Sequence, residues 1–163
     1  MHRVQGNKHV KLIECTSPKR NKWRIRWDIL PDADNYGNAS YMEQEFNHKP
    51  TTDEIRTIVM QWYNDNIDRK ILTGFAYEGT SVWLSSENQF NYKSAFDLAL
   101  QTDGATLPVT FKLGTDDEPA YRTFNTVDEL RDFYTAAVLH IQQTLADGWK
   151  EKDAFDLNKY QVD

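Results

Sequence analysis

Three groups of residues in this chain have the type and spacing to do chemistry. Asp32-x-Asp34-x-Tyr36-Gly37, with Glu43 at the twelfth position, follows the calcium-loop pattern D-x-[DN]-x-[DN]-G-x5-E at all but its fifth place. A carboxylate or amide belongs there, and Tyr36 offers neither. The flanks read as strands where such a loop needs helices, and Glu43 has Arg26 as a candidate partner, so a polar hairpin loop is the stronger reading. Lys22, Arg24 and Arg26 alternate along one stretch and would put their cations on a single strand face, where they could meet phosphates. Asp116-Asp117-Glu118-Pro119 is an acidic turn, best read as solvated surface.

Other reactive types lack convergent spacing. His2, His9, His48 and His140 form no H-x-x-x-H or H-E-x-x-H pair, and Cys15 is the single cysteine, which excludes an internal disulfide and a thiolate cluster. No G-x-S-x-G, Walker loop or G-x-G-x-x-G is present, and no catalytic pair can be selected among 25 acidic residues without geometry. The sequence therefore assigns no catalytic, cofactor-binding or metal-binding residue, and a non-enzyme is expected.

These residues must be positioned by strands and helices that the hydrophobic pattern outlines. Val10–Thr16 reads as a first strand. Trp23, Ile25 and Trp27 alternate with Lys22, Arg24, Arg26 and Asp28 in a second, and Met42 and Phe46 alternate with Tyr41, Glu43 and Glu45 in a third, Ser40–Phe46. Residues 1–8, polar and without period, read as disordered or as a short arm. If Trp23 pairs with Phe46 and Trp27 with Met42, the antiparallel register sets Arg24 opposite Glu45 and Arg26 opposite Glu43. Such pairs are worth about 0.2–1 kcal/mol each. A three-stranded sheet backed by one helix resembles the arm-type DNA-binding domain of tyrosine recombinases and its AP2-like relatives, in which Lys22, Arg24 and Arg26 would be the readers. The acidic partners argue for a charge-paired solvent face instead.

Charge is unevenly spread. Residues 1–30 hold eight basic residues against Glu14 and Asp28, a sum of +6 in a chain whose net charge is −6. The apolar runs fall far short of the roughly 20 residues that cross a bilayer, and Met1-His2-Arg3 opens no signal-peptide core, so an intracellular protein without membrane contact is expected.

A helix is predicted after Thr51, whose hydroxyl and Glu54 form a capping box; Ile55, Ile58, Val59 and Trp62 make its apolar stripe. Trp23, Ile25, Trp27, Met42, Phe46 and that stripe should form one core. The same capping logic recurs at Ser86 with Gln89 and at Thr126 with Glu129. Gly74–Leu84 reads as a hairpin followed by a helix over Ser86–Leu100. Val109–Leu113 and Tyr121–Phe124 read as a second hairpin followed by a helix from Thr126, which Gly148 is placed to end. The fold class expected is α+β: an N-terminal three-stranded antiparallel sheet with one helix over residues 1–70, then a ββαββα module over 71–163, with a seam at Arg69–Thr73.

The F-x-Y-x-G hairpin of Phe75, Tyr77 and Gly79, the polar-capped helix after it, the strand pair ending at a threonine cap, and the helix carrying Ala136, Ala137 and His140 together resemble a domain-of-unknown-function family of phage and prophage tail-associated proteins. The resemblance spans about residues 72–155. It implies a phage- or prophage-encoded structural or assembly protein, in the bacterial cytoplasm or the virion, acting through contacts with other phage proteins or with itself and needing no cofactor. The alternative is a nucleic-acid-binding accessory protein using the basic N-terminal sheet.

Overall fold

Alternation of apolar and charged residues over Lys22–Pro31 and Asn38–Phe46 builds the centre of an antiparallel sheet in the computed structural model, which describes residues 1–33 and 36–161. The chain is α+β and divides into two units: Met1–Trp62 with the segment from Ala154 onward, and Tyr63–Asp153.

The first unit has four strands where three were expected: β1 (His2–Asn7), β2 (Ile13–Ser17), β3 (Lys22–Pro31) and β4 (Asn38–Phe46), in the order β1-β4-β3-β2. The extra strand is the segment read as disordered or as a short arm. Its polar sequence hides it because an edge strand needs backbone pairing more than an apolar face: His2 pairs with Glu43, Val4 with Tyr41 and Gly6 with Ala39. A side chain at Gly6 would collide with the Tyr41 ring, whose hydroxyl lies 2.3 Å from the position a Cβ would take. Between β3 and β4 the register is the one the charges require, with Trp23 opposite Phe46, Arg24 opposite Glu45, Arg26 opposite Glu43 and Trp27 opposite Met42.

One face of this sheet carries Ile25 and Trp27, which are buried together with Ile55 and Val59 of α1 (Thr52–Thr73). Trp62 meets Trp27 edge-on, with ring centroids 6.2 Å apart. Trp23, Met42, Phe46 and Ile58 lie half-buried around this centre. The Trp23 indole N–H donates to Asn21 Oδ1 at 2.9 Å. The helix starts on the expected capping box: Glu54 N–H donates to Thr51 Oγ1 at 3.2 Å, and Glu54 Oε2 accepts from Thr51 N–H at 2.8 Å. Thr51→Ala should lower stability by about 1 kcal/mol, read as a shift in the midpoint of chemical denaturation. The C-terminal segment rejoins this unit through a 3-10 turn, Leu157–Tyr160, whose buried Tyr160 hydroxyl donates to the Arg26 carbonyl at 2.7 Å.

The second unit contains the C-terminal part of α1, then β5 (Phe75–Tyr77), β6 (Thr80–Val82), α2 (Ser86–Gln101), β7 (Val109–Gly114), β8 (Pro119–Phe124) and α3 (Val127–Asp153). It departs from the expected ββαββα module because it also takes in part of α1, and its hairpins remain two separate two-stranded sheets. Glu78 and Gly79 both have positive φ, the conformation of a tight two-residue hairpin turn. Two helix signals are corrected. The cap of α2 is Ser85, whose hydroxyl accepts from Asn88 N–H, one residue before the expected Ser86. Gly148 does not end α3; it is buried within the helix because Ile67 of α1 packs onto it, and an added Cβ would fall 2.2 Å from Ile67 Cγ1.

Phe133 of α3 is the hub of this unit's core. It is fully buried, and its ring centroid lies 4.9–6.3 Å from those of Phe75, Tyr77, Tyr92, Phe111 and Phe124. Both hairpins and α2 thus converge on one side chain.

Candidate functional site

The sheet of the first unit positions Lys22, Arg24 and Arg26 on β3, and each is engaged. Lys22 Nζ donates to Asn47 Oδ1. Arg24 bonds Glu45 at 2.6 Å and lies 3.2 Å from Glu43. Arg26 bonds Glu43 at 2.8 Å and Glu14 at 2.9 Å, and also donates to the Lys11 carbonyl at 2.9 Å. The charge pairing is the expected one, but its centre is not a solvent face: Arg26 and Glu43 are each only 5% exposed, and Tyr41 beside them is buried. The guanidinium of Arg26 lies 5.7 Å from the centroid of the Tyr41 ring. Each oxygen of Glu43 faces a different arginine, so this carboxylate bridges two cations, whose remaining charge Glu45 and Glu14 balance. Arg24 holds the Glu45 carboxyl below the usual carboxylate range, chiefly through their hydrogen bond. Arg3 of β1 is paired with Asp28.

The calcium-like loop joins β3 to β4, so strands flank it; Asp34 lies outside the described residues. Asp32 N–H donates to the Asn38 carbonyl at 2.9 Å, and Glu43 is committed to the arginines. Among the described residues no group of three or more His, Cys, Asp or Glu converges as a metal-binding set. Cys15 is half-buried in β2. His48 bonds Glu54 at 2.8 Å, and His140 Nε2 lies 3.1 Å from the Lys70 carbonyl at the end of α1, its ring 5.5 Å from that of Phe75.

Sequence reasoning missed two concave surfaces, both in the second unit. The larger is a cleft of about 780 Å³, lined by Thr73, Ser81, Trp83, Asn88 and the β7–β8 turn from Lys112 to Asp117. Its walls are fixed by backbone contacts: Asn88 Nδ2 donates to the Trp83 carbonyl at 2.8 Å, and Leu84 N–H to the Leu72 carbonyl at 3.0 Å. Gly114 turns the chain at φ +82°, where a Cβ would meet the Glu118 carbonyl at 2.2 Å. Thr115 and Glu118 close the turn with reciprocal bonds of 3.2 and 3.1 Å. The acidic turn is thereby presented at the rim, with Lys112 3.6 Å from Asp116.

The second surface is a shallow apolar groove of about 200 Å³ between α2 and α3, lined by Leu84, Phe90, Tyr134, Val138 and Ile141 among others. Phe90 is 70% exposed above it, and Leu139 and Trp149 of α3 are more than half exposed. A sequence signal existed: Phe90 breaks the apolar stripe of its own helix.

Near the hairpin turn of β5–β6, Tyr77 donates its hydroxyl to Asp132 at 2.9 Å, and Glu78 pairs with Arg122 at 3.0 Å. Burial, together with the Asp132 carboxylate, pushes the Tyr77 phenol up to about 12. An acid whose folded pKa is raised keeps its proton when the unfolded chain has lost it. Stability should therefore fall as pH rises from about 10 towards 12. Tyr77→Phe should reduce that fall, checked by denaturation at stepped pH. The groups around Tyr77 form a hydrogen-bonded support for the hairpin.

No helix among the described residues is long and apolar enough to cross a membrane. Compared with known proteins, the chain matches no protein-family model, no curated protein and no solved structure.

Proposed function

We propose that this chain is a non-enzymatic structural or assembly protein, phage- or prophage-encoded, that works by contacting other phage proteins or further copies of itself, in the bacterial cytoplasm or the virion. The observation that carries the reading is the groove between α2 and α3, where Phe90 stands 70% exposed beside Tyr134, Val138 and Ile141. Large apolar side chains grouped in this way cost solubility unless a partner covers them, and aromatic residues are enriched at such contacts. The likeness of residues 72–155 to tail-associated phage proteins supplies the biological setting.

A nucleic-acid role on the N-terminal sheet draws less support. Arg26 is buried among Glu14, Glu43 and the Lys11 carbonyl, so using it to read a groove would mean breaking a buried ion pair.

The test is a photo-crosslinking residue introduced at position 90 in cells that make the protein and, for comparison, at exposed position 20. A discrete adduct with one protein, formed from position 90 and not from position 20, is expected. Equal or absent crosslinking from the two positions sinks the proposal.

A further inference from the structure

We infer that the cleft between the β6 end and the β7–β8 turn receives a cationic side chain, arginine above all, presented on a segment of the protein partner. This deepens the contact reading above by giving one surface its chemistry. At about 780 Å³ the cleft is of a size that holds a side chain and its neighbours. Trp83, 51% exposed at its wall, offers the aromatic face that attracts cations best, and its backbone is pinned by Asn88. Asp116 and Asp117 stand at the rim as acceptors that a guanidinium can bridge.

Among the described residues Lys112 is the one basic residue lining the cleft and sits by Asp116, so the balance of the lining stays negative through Asp117. The hydroxyls of Thr73, Ser81 and Thr115 complete a wall suited to N–H donors. The field around the site has the same sign. Residues 63–153 carry fifteen acidic and eight basic side chains, a net −7, which exceeds the −6 of the whole chain. A cleft whose lining is net negative, on a body of the same sign, concentrates counter-charged partners. An anionic or neutral partner would gain nothing from either.

The experiment is an anisotropy titration of the full chain with a fluorescent triarginine peptide, using the isosteric tricitrulline peptide as the neutral control. The triarginine peptide should bind more tightly than the control and weaken as salt rises from about 50 to 300 mM. Trp83→Ala and Asp117→Asn should each weaken it about three- to tenfold, with Trp83→Phe retaining most of the affinity. Circular dichroism establishes that each variant is folded. Equal affinity for citrulline, no binding of arginine, or unchanged binding by both folded variants overturns the inference. Phe90 is not part of this cleft, so crosslinking from position 90 can succeed while the peptide titration fails, and the two readings fall separately.

Discussion

Replacing Phe133 with alanine should destabilise the protein by about 3–5 kcal/mol, at the upper end of what loss of one buried aromatic costs. The reason is geometric. Phe133 is fully buried, and five other rings from β5, α2, β7 and β8 pack around it, so the void left behind has walls on both hairpins and on α2. These walls are held by separate hairpins and a helix and cannot all close inward, so the cavity persists and the lost contacts are not recovered. A typical domain has only about 5–15 kcal/mol to lose. The midpoint of urea unfolding should drop sharply, and Phe133→Leu, which keeps much of the volume, should fall between the two. A loss below about 1 kcal/mol for the alanine variant would place the hub elsewhere.

The second large effect is electrostatic. Glu43→Leu should cost about 3 kcal/mol or more, because it strands a buried guanidinium, whereas Arg26→Met combined with Glu43→Leu should recover most of that loss. Glu14 and the Lys11 carbonyl would still contact Arg26 in the single variant, which keeps the cost towards the lower end of the range for broken buried pairs. The double variant replaces two desolvated charges with apolar volume beside Tyr41, while Arg24 keeps Glu45 and the more exposed Glu14 returns to water. Denaturation of the parent, both singles and the double gives the coupling directly. If Glu43→Leu alone were as well tolerated as the double, the two charges would not depend on each other.

The register of β3 with β4 was legible because two independent patterns agree on it: the tryptophans need one face, and the opposite charges align only when they have it. The capping box at Thr51 was legible because it is written within four residues. What escaped the sequence is what depends on distant chain. Arg26 and Glu43 look like solvent residues by type, and only the contacts from Glu14, Lys11 and Tyr41 make their site an interior one. Gly148 reads as a terminator until Ile67 of α1, with both hairpins and α2 between them in sequence, is found against it. β1 has no apolar period because its role as an edge is met by backbone bonds. The cleft and the groove were illegible for the same reason: each is lined by several elements, and neither has a run of residues to announce it.

The hydrogen bond from Tyr160 to the Arg26 carbonyl bears on how the chain is made. The first unit is discontinuous, with its sheet written at the start and its closing turn after Ala154, whereas residues 63–153 form an unbroken stretch. Phe133 and every one of its ring partners are synthesised before Tyr160 is added. Domains tend to fold as their residues emerge. Here the order of completion is inverted relative to the order of starting: the unit begun first gains the bond to its Arg26 carbonyl only after the whole of residues 63–153 has been made.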